Sequence, residues 1–455
     1  MSHLVRRILS RIPAAWYIFL LALVAYGFAA GPTLARQSIA PHYVYLADAL
    51  LHGHLDVPQT PSSYDMLMVD GRAYVAHSPM PAFMLMPFVA VFGAGFSDIL
   101  FSVVVGALNV ALVYTVAGQA TLALACKGGA SVYADTDFGS PPRRLTHPIW
   151  LALLFALGTP HLYLAALGSS WFTAHVVAIF FGLLAVREAL IPGPRRWLLS
   201  GLWLACAGFS RPSMLFGALF FVVLIGLTLS DRDRLRAMAS VAAAVAIGVS
   251  AHAVYNAARF GSPTDFGYQY VVGAPNITST YLRYGGFNPR FLPCNLFVSI
   301  LNPPEVQGSV PPALYGVCGY LLDGVNLSDP SAPITPNPLG MSLFIVTPAF
   351  FLLIAARRND PIILAAWAGL LAIMIPLWMY HNTGSLQFGY RYWMDAAPMW
   401  LLLLVEALHS LGRGRGSRAF AGVAIVASIG VNVWGFLWMF ERFNAAAWIQ
   451  VIRGG

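Results

Sequence analysis

The chain has 455 residues, of which 58% are hydrophobic and only 10% charged. Soluble domains carry roughly 25% charged residues, so this composition excludes an ordinary water-soluble fold and makes lipid the solvent to be satisfied. The formal net charge of +8 does not point to nucleic acid, because the basic residues sit in short clusters between apolar runs and no nucleic-acid-reading motif is present.

The chain opens on "MSHLVRRILSR", a basic lead into the apolar run Ala14–Ala30. No small-residue cleavage site follows, so the run reads as a retained signal anchor. Further runs of the length needed to cross a bilayer, roughly 20 residues, fall at Asp98–Gly118, Pro148–Leu167, Trp171–Leu190 and Trp197–Phe209. Others follow at Ser213–Leu229, Leu235–Ala257, Met341–Ala355, Pro361–Tyr380, Pro398–Leu411 and Phe420–Phe440. The pattern predicts an all-α polytopic membrane protein with about eleven transmembrane helices. Pro81–Phe92 is apolar but short and bounded by proline, and reads as a helix lying in the membrane interface.

Counting from a cytoplasmic N-terminus gives an orientation. One side collects Arg6, Arg7, Arg11; Lys127, Arg143, Arg144; Arg187, Arg195, Arg196; Arg232, Arg234, Arg236; Arg357, Arg358; and Arg413, Arg415, Arg418. The other side holds mostly isolated arginines, among them Arg36, Arg72, Arg211, Arg259, Arg391 and Arg453. This is the positive-inside pattern. It leaves two long segments outside, 31–97 and 259–340, both rich in aromatic residues. The expected organisation is an N-terminal transmembrane module with the first outer loop (1–258), an extracytoplasmic segment (259–340) and C-terminal transmembrane helices (341–455). Cys294 and Cys318 share the second outer segment, where an oxidising compartment could join them; the alternative is two free buried cysteines. Cys126 and Cys206 fall in or near spans.

The titratable residues gather in the outer segments. In "PHYVYLADALLHGHLDV", Tyr43, Ala47, Leu50 and Leu51 recur at helical spacing, and Gly53 is a natural helix end. Tyr45, Asp48 and His52 share the opposite face. His52, His54 and Asp56 alternate as metal ligands on a strand would, so a divalent metal enters as an option, although Gly53 breaks that geometry. Asp70-Gly71 is a hairpin turn signal. Asp65, just before "MLMV", has no such turn role, which makes it a candidate for chemistry. His77 leads into the interfacial helix. Arg211 in "GFSRPS" and Arg391 in "QFGYRYWMD" are costly at membrane depth, and an arginine fork suits a phosphate. Gln387, Tyr390 and Asp395 accompany Arg391; pairing of either arginine with a structural carboxylate is the plain alternative. Arg259, Asp265 and Tyr268 stand at the mouth of the second segment. His252 is singled out as the titratable group deep in a span. P-loop, nucleophile-elbow and zinc signatures are absent.

"YVYLADALLHG", "SPMPAFMLMPFVAVFG" and the order of one span, a long outer loop, an interfacial helix and short hairpinned spans resemble the GT-C superfamily of polytopic glycosyltransferases. The protein mannosyltransferase and aminoarabinose transferase branches are examples of that superfamily. The resemblance implies a bacterial inner-membrane enzyme working on its periplasmic face. It would transfer a sugar, with inversion, from a polyprenyl-phosphate donor to a glycan, lipid or protein acceptor. It also implies an acid four positions before the helix tyrosine, and here that position is Ile39. The base is then expected from Asp48, Asp65, Asp56 or His42. Arg211, Arg391 and His77 would bind the donor phosphate, and Tyr45, Gln387, Tyr390 and Asp395 the substrate. Two alternatives remain open: a transporter or flippase of a lipid-linked or anionic solute with a polar path past His252, and a non-catalytic assembly subunit.

Overall fold

The computed structural model describes residues 13–57, 60–125, 148–193, 195–273, 275–307, 309–322, 332–356, 359–384, 386–411 and 414–444. Cys126 and the basic residues Arg6, Arg7, Arg11, Lys127, Arg143, Arg144, Arg357, Arg358, Arg413 and Arg453 lie outside them.

Helix α1 (Ala14–Ala30) leads through the first outer loop to α2 (His42–Leu51), strands β1 (Met66–Val69) and β2 (Arg72–Val75), and α3 (Met80–Phe92). Next come α4 (Asp98–Ala125), α5 (Pro148–Leu157), α6 (His161–Ala166), α7 (Ser170–Leu190), α8 (Arg196–Gly208), α9 (Ala218–Thr228) and α10 (Asp231–Phe260). The second outer segment holds β3 (Val271–Val272), α11 (Pro275–Tyr284), α12 (Leu292–Leu296), β4 (Glu305–Val306), α13 (Pro312–Leu322) and β5 (Ile334–Thr335). α14 (Leu343–Val346), α15 (Pro361–Trp378), α16 (Ala397–Ser410) and α17 (Arg415–Asn444) complete the chain.

The molecule is mostly helical, and among the described residues six helices are long and apolar enough to cross a membrane: α1, α4, α7, α10, α15 and α17. The eleven predicted runs are all helical, but five are short or broken. Pro148–Leu167 divides into α5 and α6 around Gly158, Thr159 and Pro160. Ser213–Leu229 and Met341–Ala355 each begin or end in 3₁₀ helix, and α8 and α16 have 13 and 14 residues. The all-α expectation also needs correction, because the outer loops carry a three-stranded and a two-stranded sheet.

The break between α5 and α6 is closed by polar groups, as freed backbone in an apolar body must be. Thr347 donates to the Gly158 carbonyl at 3.0 Å. Tyr26 reaches the Ala156 carbonyl at 3.1 Å and His161 Nδ1 at 2.8 Å. Asn109 meets His161 Nε2 at 3.2 Å. Close helix contacts use small residues: α8 and α10 meet where Gly201 and Ala205 face Ala244 and Gly248, and a Cβ on Gly201 would stand 2.7 Å from that of Ala244. α10 itself starts with Asp231 and Asp233 in its first turn and ends with Arg259 before a left-handed Gly261, charges that suit the helix dipole at both ends.

The outer loops are stitched to each other and to the helical body. The hairpin predicted at Asp70-Gly71 forms, with Val69 opposite Arg72 and positive φ at both turn residues. Its strand β1 also pairs with β3, placing Met66 opposite Val272. His381 donates its backbone N–H to Gly286 and Asn288 to Met379, at 3.0 and 2.8 Å. Asp98, buried at the start of α4, accepts from the backbone N–H groups of Ser38 and Ser169. Cys294 and Cys318 form a disulfide between α12 and α13, with Cα atoms 4.9 Å apart. Cys206 is free and half-buried.

Candidate active site

A cavity of about 880 Å³ opens where the first-loop hairpin, the second outer segment and the ends of α7, α8, α15 and α17 converge. Asp65, His77, Arg211 and Arg391 all line it, although they come from positions far apart in the chain.

Asp65 enters from the residue before β1, where its backbone takes the left-handed conformation, φ +63°. Its N–H donates to the Val272 carbonyl at 2.6 Å, so the second outer segment fixes the position. The side chain is one quarter exposed, and Oδ2 lies 3.2 Å from His77 Nε2. The Trp171 indole N–H donates to the same oxygen. Burial alone would push this carboxyl up, but the neighbouring His77, then the Trp171 hydrogen bond, hold it below the ordinary carboxylate range. Asp65 is therefore ionised at neutral pH and accessible to a ligand.

The other acid and base candidates lie elsewhere. Asp48 sits on the outer face of α2, its side chain 42% exposed and 3.9 Å from His52, and does not line the cavity. His54 is exposed, and no set of three His, Cys, Asp or Glu among the described residues is grouped to hold a metal ion. His42 is fully buried, with Nε2 2.9 Å from the Tyr64 carbonyl. Burial lowers it to about 4, against the opposing pull of that carbonyl and of Asp65. It is thus neutral, and donating Nε2–H to Tyr64 it supports the turn that carries Asp65. Tyr45 faces away and donates to Gln37 at 3.2 Å.

The two arginines differ in their surroundings. Arg211, at the turn after α8, donates Nε–H to Asp395 Oδ2 at 2.8 Å. Asp395 is fully buried and also receives Ser213 Oγ–H at 2.8 Å and His175 Nδ1 at 2.7 Å. Arg391 sits four residues before Asp395 on the same 3₁₀ turn (Arg391–Ala396). Among the described residues no carboxylate lies within ion-pair distance of Arg391, and its Nε has no hydrogen-bond partner. Its guanidinium lies 5.7 Å from the ring centres of Phe172 and Tyr392.

Three residues expected to touch substrate instead brace this wall from behind. Gln387 donates to the Leu339 and Thr383 carbonyls and accepts from the Arg391 N–H at 2.9 Å. Tyr390 donates to Asn295 Oδ1 at 3.1 Å. Asp395 is enclosed by its three partners. All three are buried, and none lines the cavity.

Sequence reasoning did not pick out Trp171, Tyr380, His381 or Tyr392, which line the cavity, or His175 beneath it. His175 and His161 are histidines within apolar runs, a signal of buried polar function or bracing, yet only His252 was singled out. His252 meets Ser78 Oγ at 3.0 Å and the Gly248 carbonyl at 3.2 Å and is not part of the cavity lining. The aromatic wall continues through Tyr268, Tyr281, Tyr380 and His381, whose rings lie 4.3 to 6.4 Å apart in neighbouring pairs.

No protein-family model matches this chain, and no curated protein matches it. Among solved structures it is similar to the apo form of the Archaeoglobus fulgidus oligosaccharyltransferase, at 12% identity and a TM-score of 0.48, over 95% of this chain and 58% of that one. The chain thus spans rather more than half the length of that protein. It is also similar to ArnT from Cupriavidus metallidurans bound to undecaprenyl phosphate, at 16% identity and a TM-score of 0.45, over 96% of this chain and 72% of that one.

Proposed function

We propose that the chain is an integral-membrane glycosyltransferase of the GT-C type, acting on a polyprenyl-phosphate sugar at the extracytoplasmic face of a bacterial inner membrane. The observation that carries this reading is one cavity holding an accessible, ionised carboxylate, Asp65, together with two arginines, Arg211 and Arg391. In the reaction, Asp65 takes the proton of an acceptor hydroxyl as its oxygen bonds to the anomeric carbon. The bond from that carbon to the donor phosphate breaks, and the polyprenyl phosphate leaves with the electron pair. Arg211 and Arg391 hold the charge that develops on its oxygens. His77 and Trp171 keep Asp65 oriented. The acceptor, a glycan, lipid or protein hydroxyl, would enter along the aromatic wall. The chemistry needs no nucleotide, in keeping with the missing P-loop.

The test supplies purified protein with a panel of short-chain polyprenyl-phosphate sugars and follows release of the lipid phosphate. Asp65→Asn should lower turnover by about 10²- to 10⁴-fold, the usual worth of a positioned base, while Asp48→Asn retains it. If Arg211→Ala and Arg391→Ala both left donor consumption unchanged, the phosphate-binding role would be lost.

A further inference from the structure

Asp395 has an uncommon environment for a carboxylate. It is fully buried, and three side chains from two parts of the chain converge on it: His175 from α7, and Arg211 and Ser213 from the turn after α8. A buried ion pair gains little stability over apolar packing, because desolvating both charges offsets their attraction. Its geometry is the more informative part. His175 occupies Oδ1, and Ser213 shares Oδ2 with Arg211, so the carboxylate cannot turn to follow a moving guanidinium.

The contact to Arg211 is made by Nε, the N–H nearest the aliphatic stem. A guanidinium is planar, and its two terminal nitrogens stand beyond that edge. Neither makes a hydrogen bond among the described residues, and Arg211 lines the cavity. Arg391 contrasts with it, having no carboxylate at ion-pair distance among the described residues. One arginine is pinned from behind, and the other brings charge without a local counter-ion.

We propose that Asp395 is a positioning residue for phosphate recognition, holding Arg211 by its Nε edge so that the terminal fork is preset for a phosphate monoester in the cavity. His175 and Ser213 act one step further back, by fixing the carboxylate. Arg391 then supplies charge, and Arg211 supplies direction. A receptor set before the ligand arrives loses no reorganisation energy on binding. This inference rests on the donor-phosphate reading of the cavity.

Farnesyl phosphate and farnesol, which share a tail and differ in the phosphate, separate the two ideas. Their binding to the full chain in detergent is measured by native mass spectrometry. Wild type should prefer the phosphate. Asp395→Asn should weaken farnesyl phosphate binding about 10-fold, the worth of one charge-assisted hydrogen bond, with farnesol binding unchanged. In an Arg211→Ala background, Asp395→Asn should add no further loss, because the carboxylate acts only through that arginine. Should Asp395→Asn fail to fold, His175→Asn and Ser213→Ala should each give the same selective loss in smaller measure, roughly 3-fold. The inference is overturned if these variants keep the wild-type preference, lose both ligands alike, or lose it additively with Arg211→Ala. Absence of any preference in wild type would instead sink the donor-phosphate reading itself, and this inference with it.

Discussion

Asp65 holds a left-handed backbone conformation that a residue with a side chain keeps only when its surroundings impose it. Those surroundings are the hydrogen bond to Val272, the Trp171 indole and His77. They also set its protonation. Burial favours the neutral acid, and His77 is the largest influence against it. A base with a lowered pKa stays active as pH falls, until the folded-state value is crossed. In His77→Ala the opposing influence is gone, so the acid limb of the kcat/KM profile should move to higher pH; an unmoved limb would show that His77 does not tune Asp65. Glu305 is the opposite case. It is buried on β4 with neither carboxylate oxygen hydrogen-bonded, and burial raises it from 4.5 to about 7 despite the charge of Arg442. With the folded-state value above the unfolded one, its stability contribution is complete below 4.5 and is lost as pH rises through about 7. Glu305→Gln should therefore raise stability by about 3 kcal/mol at pH 8 and leave it unchanged at pH 4. Thermal unfolding at the two pH values reads the difference.

Among elements, those with strong local chemistry were legible from the sequence. The Asp70-Gly71 hairpin formed because both turn positions need positive φ, which Asp and Gly tolerate. α2 stopped at the glycine that marks its end. The helix–helix contacts were not legible, because a glycine in an apolar run looks the same whether it faces lipid or another backbone. Gly201 faces α10, and a bulky side chain there meets the Ala244 Cβ and the Val241 backbone. Gly201→Leu should cost roughly 1–3 kcal/mol, as overpacking a filled contact does, read as a lowered unfolding temperature in detergent. Gly422, with open space around its Cβ position, should tolerate the same change. The candidate site was legible in part for a related reason. Asp65, His77, Arg211 and Arg391 stood out as charges that apolar neighbours could not explain. Whether Asp48 or Asp65 faced the cavity depended on pairing between β1 and β3, which lie about two hundred residues apart. Asp395 is expected from the sequence at the substrate or beside Arg391, whereas its pairing with Arg211 and its enclosure by His175 and Ser213 are tertiary facts.

At the scale of the whole molecule, the six long helices among the described residues and the shorter apolar ones form a body around a large buried cluster, with a small second cluster under the β1–β2 hairpin and the two outer loops joined over one end. The basic clusters predict that this end is extracytoplasmic. Cysteines introduced one at a time, in a chain lacking Cys126 and Cys206, test this directly. A membrane-impermeant maleimide applied to intact spheroplasts should label His54→Cys and leave Arg232→Cys unlabelled until the membrane is opened. The reverse pattern would invert the topology and place the cavity on the cytoplasmic side.

The pairing of β1 with β3 has a consequence for biogenesis. The Asp65 N–H finds its acceptor on Val272, so a nascent chain halted after α10 carries every residue of the first loop but not the partner that orders it. The site would mature late in synthesis, only after residue 272 has emerged and folded back. A ribosome-bound intermediate ending near residue 258 should therefore show the first loop open to protease, and one ending beyond the second outer segment should show it protected.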